Sequence, residues 1–232
     1  MLEAPNLPTT TIVDEVFARL RQAIVAGEIA SGSKISEPEI AARYGTSRGP
    51  VREAMRRLEA ANLVERRANF GARVVTLTFA GLIEVYQMRE ALEGMAARLA
   101  AEAMTPSEVA HLRGLLATHR EQVAADPSGA YFQREGDLDF HFRIAHGSRN
   151  QRLIGVLCND LYYLARMYRY HFGMTGDRAQ AALDEHELIV TAIADGDGEL
   201  AEWLTRRHIR TSRRHAERRL GGSNRPARYS DD

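Results

Sequence analysis

The stretch SKISEPEIAARYGTSRGPVREAMRRLEAANLVERRANFGARVVT, residues 33–76, decides the fold of the first part of this chain. Ser36 can cap a first helix, and Glu39, three residues later, can close a capping box. That helix ends at Gly45, and Ser47 follows as the cap of a second helix. Apolar residues recur at helical spacing after each cap. Two short helices joined by a tight glycine-containing turn predict a helix-turn-helix.

Arginines occupy the start of the second helix of this motif. Arg48 and Arg52 are one turn apart, and Arg56 follows one turn later. In a helix-turn-helix the N-terminal residues of this helix, here Arg48 and Arg52, meet base edges in the major groove, with Arg56 and Arg57 behind them. An arginine there can donate two hydrogen bonds to one guanine. We therefore expect Ser47, Arg48, Arg52 and Arg56 to contact DNA. The alternative is a solvated arginine-rich surface helix, which leaves the order of caps, turn and following hairpin unexplained.

A hairpin, or wing, is predicted after the second helix. Leu63 to Arg66 and Arg73 to Thr76 have the composition of two short strands. Between them, Arg67 supplies a cation near the hairpin tip, and Gly71 lets the backbone approach phosphate or the minor groove. The sequence thus predicts further DNA contacts from Arg67 and Gly71.

The pattern S-R-x-P-V-R-E-A-x-R-x-L-E, from Ser47 to Glu59, resembles the winged helix-turn-helix of GntR-family bacterial transcription regulators. The resemblance covers roughly residues 10–76 and implies sequence-specific binding to double-stranded operator DNA. Two positions depart from the commonest form. Gly49 stands where threonine is frequent, and Pro38 where the fatty-acid-responsive (FadR) branch has a base-contacting arginine. The operator sequence of that branch therefore does not transfer to this chain.

The composition is that of a globular protein with room for two modest domains. The chain has 232 residues, of which 44% are apolar and 27% charged. Because 31 basic and 31 acidic side chains balance, binding to nucleic acid must come from a local patch. Cys158 is the single cysteine, which excludes an intrachain disulfide and suits a reducing cytoplasm. No apolar run approaches the roughly 20 residues that span a bilayer, so we expect a cytoplasmic protein without membrane contact.

The predicted fold class is mainly α, with the winged helix-turn-helix followed by an all-α antiparallel helical bundle. The predicted helices outside the quoted stretch are Thr11–Ala26, Phe79–Ala103, Pro106–Ala125, Tyr131–His146, Gln151–Phe172, Asp177–Ala194 and Gly198–Leu220. Short turns between long amphipathic helices make neighbours antiparallel. The predicted domains are a flexible arm (1–10), the winged domain (11–76), the bundle (77–220) and a disordered tail (221–232).

Three histidines and one aspartate of the bundle are candidate metal ligands. Asp137 and His141 are four residues apart on one predicted helix and would share a face. His186 and His208 lie at similar distances on either side of the turn between the last two helices, so an antiparallel hairpin brings them level. Such a set suits a divalent transition metal ion, zinc or nickel first. Each residue alone is also compatible with an ordinary satisfied polar side chain. The remaining histidines (111, 119, 146, 171 and 215) lack this spacing.

The bundle resembles the FCD ligand-binding domain of one GntR subfamily, to which the FadR branch also belongs. The motifs are D-L-D-F-H-F-R-I-A from Asp137, S-R-N-Q-R-L from Ser148, E-H-E-L-I from Glu185 and R-R-H-I from Arg206. The resemblance covers roughly residues 79–218. It implies the metal-binding branch of the subfamily, in which Asp and three His at these motif positions bind a metal ion.

The same resemblance implies an effector site for a small organic acid. The segment from Tyr86 to Glu93 is similar to the family pattern Y-x-x-R-x-x-L-E. Arg89 would point inward and hold a carboxylate of the effector, a role that suits its planar fork. The alternative is a surface pair between Arg89 and Glu93. Tyr86 and Arg166 are further candidates for the same cavity.

These features together predict a cytoplasmic, homodimeric, ligand-responsive transcription regulator, most often a repressor in this family. It would bind a near-palindromic operator and respond to a small organic acid at the metal site. The alternative is a metal-dependent hydrolase-like enzyme that uses the Asp/His3 site to activate water. A third possibility is an architectural DNA-binding protein without an effector. No H-E-x-x-H pair, nucleophile elbow or phosphate-binding glycine loop is present, and an enzyme would not explain residues 36–73.

Overall fold

The computed structural model of the protein describes residues 11–67, 71–126, 131, 133, 135–172 and 177–223. The side chains of Arg67, Asp137 and residues 220–223 are outside this description. The predicted flexible arm (1–10) lies outside the described residues, as does the end of the predicted tail from residue 224. The chain divides into two compact units, residues 1–76 and 77–232.

The described residues of the first unit form three helices and a three-stranded antiparallel sheet. Its elements are α1 (Ile12–Val25), β1 (Lys34–Ile35), α2 (Glu37–Arg43), α3 (Arg48–Ala60), β2 (Val64–Arg67) and β3 (Gly71–Val74). Thr11 caps α1 through a capping box with Asp14, which satisfies donors that the first turn leaves free. Leu20, Met55 and Leu63 are fully buried in its core. The predicted helix-turn-helix is therefore present.

The start of α2 differs from the prediction in one respect. Ser36 is the residue that precedes α2, but its side chain makes no capping hydrogen bond, so the predicted capping box with Glu39 was wrong. Pro38 explains part of this, because it occupies one of the two positions whose backbone N–H a capping side chain normally binds, and proline has no N–H. Gly45 ends the segment in the left-handed region at φ +62°, as the sequence predicted.

The two strands of the wing have different bounds from the predicted Leu63–Arg66 and Arg73–Thr76. The strands are Val64–Arg67 and Gly71–Val74, with Arg67 opposite Gly71. The sequence prediction did not include β1, which pairs with the other side of β3. A two-residue strand is too short for alternation to be visible in a sequence. The hairpin tip, residues 68–70, lies outside the described residues.

The second unit is a helical bundle. Its helices are α4 (Phe79–Ala103), α5 (Pro106–Ala125), α6 (Phe140–Gly147), α7 (Gln151–Gly155), α8 (Tyr162–Phe172), α9 (Asp177–Ala194) and α10 (Gly198–Ser223). The helices α4, α5 and α9 have the predicted bounds, whereas α10 extends three residues into the predicted tail. Helices α4 and α10 pack closely at Gly94, where an added Cβ would lie 2.7 Å from the Arg206 side chain. No helix in the described part of the chain is long and apolar enough to cross a membrane.

Two predicted helices of the bundle were wrong in extent. Instead of one helix from Tyr131, a 3-10 turn spans Gly136–Leu138 and α6 begins only at Phe140. The Asp139 carboxylate caps α6 by accepting from the backbone N–H of His141 at 3.0 Å. Asp137 and His141 therefore do not share one α-helix. The predicted helix from Gln151 is interrupted by a π-helical turn, Val156–Asp160.

Candidate metal centre and nucleic-acid interface

Three buried histidines from three helices meet inside the bundle. His141 comes from α6, His186 from α9 and His208 from α10. One ring nitrogen of each lies within 4.8 Å of the others, and the Nε2 atoms of His186 and His208 are 3.2 Å apart. The antiparallel hairpin of α9 and α10 places the latter two at one level. The structure thus brings together the three histidines that sequence spacing selected.

Carboxylates determine which nitrogen of two of these rings carries a proton. The Nδ1 atom of His208 lies 2.6 Å from Glu185, and that of His141 lies 2.7 Å from Glu93. An ionised carboxylate only accepts hydrogen bonds, so both Nδ1 atoms must donate. In the neutral rings Nε2 then has a free lone pair. The buried Nε2 of His141 has no hydrogen-bond partner among the described residues.

Burial keeps two of the rings uncharged. It lowers the pKa of His208 from 6.5 to about 4, although the hydrogen bond to Glu185 acts in the opposite direction. Burial also holds the pKa of His186 well below 6.5, and the neighbouring His208 and His141 lower it further. Neutral imidazole is the form that binds a metal ion.

Glu93 joins one of the histidines to a buried arginine. Its carboxylate accepts from Arg89 Nε at 2.6 Å and from His141 Nδ1 at 2.7 Å. Burial alone would raise the pKa of Glu93, but the charge of Arg89 and the hydrogen bonds outweigh it and hold that pKa below its usual range. The guanidinium of Arg89 also lies 4.9 Å from the centre of the Tyr86 ring. The predicted alternative pair of Arg89 and Glu93 exists, but it is buried rather than on the surface.

Glu185 contacts the Nδ1 atom of His208, as Glu93 contacts that of His141. It accepts from Arg178 at 2.7 Å as well as from His208. Burial raises its pKa, yet the hydrogen bonds from His208 and Arg178 prevail and lower it to about 2. Each of these two histidines therefore has an ionised carboxylate behind it, the arrangement that orients metal-binding imidazoles in proteins and raises their basicity.

A small cavity adjoins the three-histidine cluster. Its lining includes Arg89, Glu93, His141, Phe142, Ala145, Leu157, Cys158, Leu161, Tyr162, Ala165 and Arg169. Its volume of about 20 Å³ is sufficient for a water molecule but not for an organic acid. The predicted effector residue Arg89 belongs to this lining, whereas Tyr86 and Arg166 do not.

Arg169, which the sequence analysis did not select, lines the cavity one turn after Arg166. Its Nη2 donates to Asp139 at 2.5 Å, and its buried Nη1 has no partner within the part of the chain that the structure describes. Arg166 donates instead to the backbone carbonyl of Gln133 at 2.9 Å. The signal in the sequence was the spacing of Arg166 and Arg169, which puts them on one helix face.

Asp137, the fourth predicted ligand, belongs to the turn Gly136–Leu138 that precedes α6. Its side chain lies outside the described residues. The structure therefore locates the backbone of Asp137 near the start of the helix that contains His141, and the carboxylate remains a prediction.

The DNA-binding unit exposes a row of arginines along α3. Arg48, Arg52 and Arg56 are exposed, and Arg48 forms no ion pair with any other described residue. Arg52 lies 3.6 Å from Glu37, a contact that is weak at an exposed position. The Arg57 guanidinium, by contrast, lies 4.3 Å from the centre of the Phe17 ring and donates to Asp14 at 2.7 Å.

Ser47 and Gly71, two further residues predicted to contact DNA, have local conformations compatible with that contact. Ser47 precedes α3 and its side chain makes no capping hydrogen bond, so its hydroxyl remains available to a phosphate. Gly71 begins β3 with φ +76°, a conformation that glycine adopts without strain. The side chain of Arg67 lies outside the described residues.

Comparison with known proteins decides the family. The profile of the bacterial regulatory proteins of the gntR family matches residues 12–74, and that of the FCD domain matches residues 84–211. The chain belongs to the GntR family. It is a DNA-binding transcription regulator with an FCD domain, and the enzyme alternative is excluded because the family and its relatives are transcription regulators.

Relatives support this assignment over most of the chain. The probable D-xylose utilization operon transcriptional repressor of Paenarthrobacter nicotinovorans is 32% identical over 207 residues, 88% of each chain. The Nta operon transcriptional regulator of Aminobacter aminovorans is 36% identical over 71% of this chain and 75% of its own. The solved structure of E. coli McbR/YncC has a TM-score of 0.73 and 20% identity, and covers 91% of this chain and 99% of that chain. At 20% identity, the similarity between the two structures shows only that they share a fold.

Proposed function

We propose that this GntR-family regulator acts in the cytoplasm as a homodimeric repressor whose DNA affinity depends on a small organic acid. The acid binds beside a divalent metal ion held by His141, His186, His208 and Asp137. The main support is the Nε2 atom of His141, which is buried beside two other imidazoles without a partner among the described residues. A buried polar atom without a partner is costly, and a bound cation would satisfy it.

The donor set indicates the class of metal ion. Imidazole nitrogens suit zinc, nickel and similar ions, whereas calcium and magnesium prefer oxygen ligands. Glu93 and Glu185 orient two of the three rings so that Nε2 is the free nitrogen. When bound, such an ion would supply a positive charge and open coordination positions for a carboxylate. Asp137 enters as the fourth ligand by family resemblance.

The cavity beside this centre suits a negatively charged effector. Arg89 and Arg169 line it, and a metal ion would add two further positive charges. The unpartnered Nη1 of Arg169 is ready to donate to a second acidic group of the ligand. Tyr86 supports the Arg89 guanidinium, and Arg166 lies 3.5 Å from the Asp139 carboxylate that holds Arg169. These contacts support the proposal that Arg89 and Arg169 bind the effector and that Tyr86 and Arg166 hold these two arginines in place.

The small size of the cavity supports a link between binding and conformation. A volume of about 20 Å³ cannot hold an organic acid, so the lining must move when the acid binds. The π-helical turn Val156–Asp160 contributes Leu157 and Cys158 to that lining, and π-turns are frequent at functional sites. A ligand that binds only the opened form shifts the equilibrium between the two forms. We propose that this shift weakens operator binding.

Exposed apolar side chains on two adjacent helices support a homodimer through the helical unit. Met88 and Met95 of α4 are 46% and 40% exposed, and Trp203 of α10 is 55% exposed. The two helices lie side by side, as the pair of Arg210 and Glu90 at 2.6 Å indicates. Large apolar side chains left exposed on adjacent helices are candidates for a protein contact. A two-fold dimer would present two copies of α3 to a near-palindromic operator.

On the DNA, we propose that Arg48 and Arg52 contact base edges, while Ser47, Arg56, Arg67 and Gly71 contact the phosphate backbone. The effector would come from sugar-acid, dicarboxylate or aromatic-acid metabolism. The relative named for D-xylose utilization is consistent with sugar metabolism for one member of the family.

The experiment that tests this function starts from protein purified without chelator. Metal analysis by mass spectrometry gives the ion and its stoichiometry, and calorimetric titration against a panel of organic acids gives the effector. Footprinting on the regulator's own upstream DNA is then repeated with and without the best acid. We expect about one metal ion per chain and weaker protection with the acid. Protection that no acid changes would contradict the proposal.

A further inference from the structure

A chain of hydrogen-bonded groups runs from a backbone carbonyl to the third histidine of the cluster. His119 Nε2 lies 3.1 Å from the carbonyl oxygen of Leu138, and His119 Nδ1 lies 3.0 Å from the Tyr131 hydroxyl. The same hydroxyl lies 3.2 Å from His186 Nδ1. His119 is 2% exposed and Tyr131 is 7% exposed. The position of His119 in the sequence does not have the spacing of a metal ligand.

Only one order of protons makes every contact between Leu138, His119, Tyr131 and His186 a hydrogen bond. A carbonyl oxygen only accepts, so His119 Nε2 must carry a hydrogen. Burial lowers the pKa of His119, and in the neutral ring Nδ1 is then an acceptor. The Tyr131 hydroxyl therefore donates its single hydrogen to His119. Its oxygen can only accept on the other side, so His186 must donate from Nδ1.

The consequence for the metal centre follows from the neutral ring of His186. With the His186 hydrogen on Nδ1, the Nε2 atom of His186 has a free lone pair. The Nε2 atom of His208, which also has a free lone pair, lies 3.2 Å away, so one cation could bind both nitrogens. In the opposite tautomer, Nε2 of His186 would donate to Nε2 of His208. That bond would occupy both nitrogens and close the centre to a cation.

We propose that His119, acting through Tyr131, is a positioning residue that holds His186 in the Nδ1–H tautomer and so keeps its Nε2 free for a divalent metal ion. The inference rests on the proposed metal site, but the tautomer itself is a property of the metal-free protein. The acceptor that starts the chain, Leu138, belongs to the same three-residue turn as Asp137. His119 therefore also ties that turn to α5.

The test uses variants that separate hydrogen bonding from packing. Tyr131→Phe removes only the hydroxyl, and His119→Leu removes both polar atoms. His119→Gln retains one donor and one acceptor and is the conservative variant. His111→Leu, at an exposed position two turns earlier on α5, is the matched control. Zinc affinity is measured by titration against a competing chelator, with thermal unfolding of each metal-free variant to confirm folding.

We expect Tyr131→Phe and His119→Leu to lower zinc affinity about 10- to 100-fold, the usual effect of removing a group that orients a ligand. His119→Gln and His111→Leu should stay within a few-fold of the wild-type protein. Zinc binding by folded Tyr131→Phe with wild-type affinity would overturn the proposal, as would equal losses in His119→Leu and His119→Gln.

The second measurement needs no metal. In chelator-treated protein with 15N-labelled histidine, long-range nitrogen–proton spectra report the tautomer of each ring. We expect the His186 proton on Nδ1 in wild-type protein, and a shift of that proton toward Nε2 in Tyr131→Phe. A His186 proton on Nε2 in wild-type protein overturns the inference. Wild-type protein that holds Nδ1–H but binds no zinc would instead refute the proposed metal site.

Discussion

The Nε2 atoms of His186 and His208 lie 3.2 Å apart although 22 residues separate them in the chain. The His208 ring donates from Nδ1 to Glu185, so its Nε2 is a free acceptor. Free lone pairs on both nitrogens would repel each other across this gap unless a cation lies beside them. This relationship is the physical basis of the first prediction.

Replacing His141 by alanine should lower both metal content and thermal stability. A ligand that binds only the folded state stabilises it by about 2.7 kcal/mol when its concentration is 100 times the dissociation constant. His146→Ala, at an exposed position on the same helix α6, is the control and should retain the metal. Metal analysis and scanning calorimetry provide the two measurements. Equal metal content in wild type and in the His141→Ala, His208→Ala double variant would end this hypothesis.

The metal-free protein should lose stability as the pH falls from 6.5 toward 4. In the folded state the pKa of His208 is about 4, against 6.5 for the free side chain. Between these values the unfolded chain binds more protons than the folded one, so stability falls with falling pH. Thermal unfolding of chelator-treated protein across this range measures the slope. His208→Gln should show a shallower slope, and an unchanged slope in that variant would contradict the assignment.

Replacing Arg48 by alanine should cost about 1–3 kcal/mol of operator affinity and relax specificity at one base pair. Arg48 is exposed at the start of α3 and forms no ion pair with a described residue, so no such pair has to break before it contacts a base. Arg67→Ala should instead weaken binding to all sequences and reduce the salt slope by about one. Quantitative footprinting on operator and random DNA distinguishes these outcomes. Wild-type affinity of Arg48→Ala for the operator would refute the base contact.

A charge on the exposed face of α4 and α10 should dissociate the dimer. Met95→Glu or Trp203→Glu places a carboxylate where an apolar contact is proposed, and burying an unpaired charge is costly. Leu188→Glu, on exposed α9 surface, is the control and should leave the assembly unchanged. Light scattering at micromolar concentration measures the mass. A wild-type monomer that binds DNA one to one would contradict the proposed dimer.

Conservative changes of the cavity arginines should raise the acid concentration needed to release DNA. Arg89→Lys and Arg169→Lys keep the charge beside Glu93 and Asp139 but lose the planar fork that holds a carboxylate. Coupling between ligand and DNA is typically 1–3 kcal/mol, about a five- to 150-fold change in operator affinity. Titration of operator complexes with acid, with and without chelator, measures it. Unchanged acid affinity in both variants, or in metal-stripped protein, would refute the effector site.

Local signals in the sequence determined much of the fold. A helix-turn-helix depends on residues a few positions apart, so the glycine at position 45 and the apolar spacing after Ser47 were sufficient to predict it. The bounds of α4, α5 and α9 follow from helix breakers that act locally. The shared level of His186 and His208 follows from the constant rise of a helix and one short turn. Each of these predictions needs only geometry along the chain.

Only the tertiary structure decided the surroundings of the site. The helix that contains His141 begins only after Asp139, because the buried Asp139 carboxylate caps α6 and also pairs with Arg169 of α8. Glu93 contacts His141, Glu185 contacts His208, and His119 is linked to His186 through Tyr131. These contacts depend on the relative rotation of helices, which no sequence period reports. Hydrogen-bond partners are set within a few tenths of an ångström by packing between helices. For that reason the sequence identified four metal-binding candidates, three of which, the histidines, meet in the structure. The groups that orient two of those histidines emerged only from the folded chain.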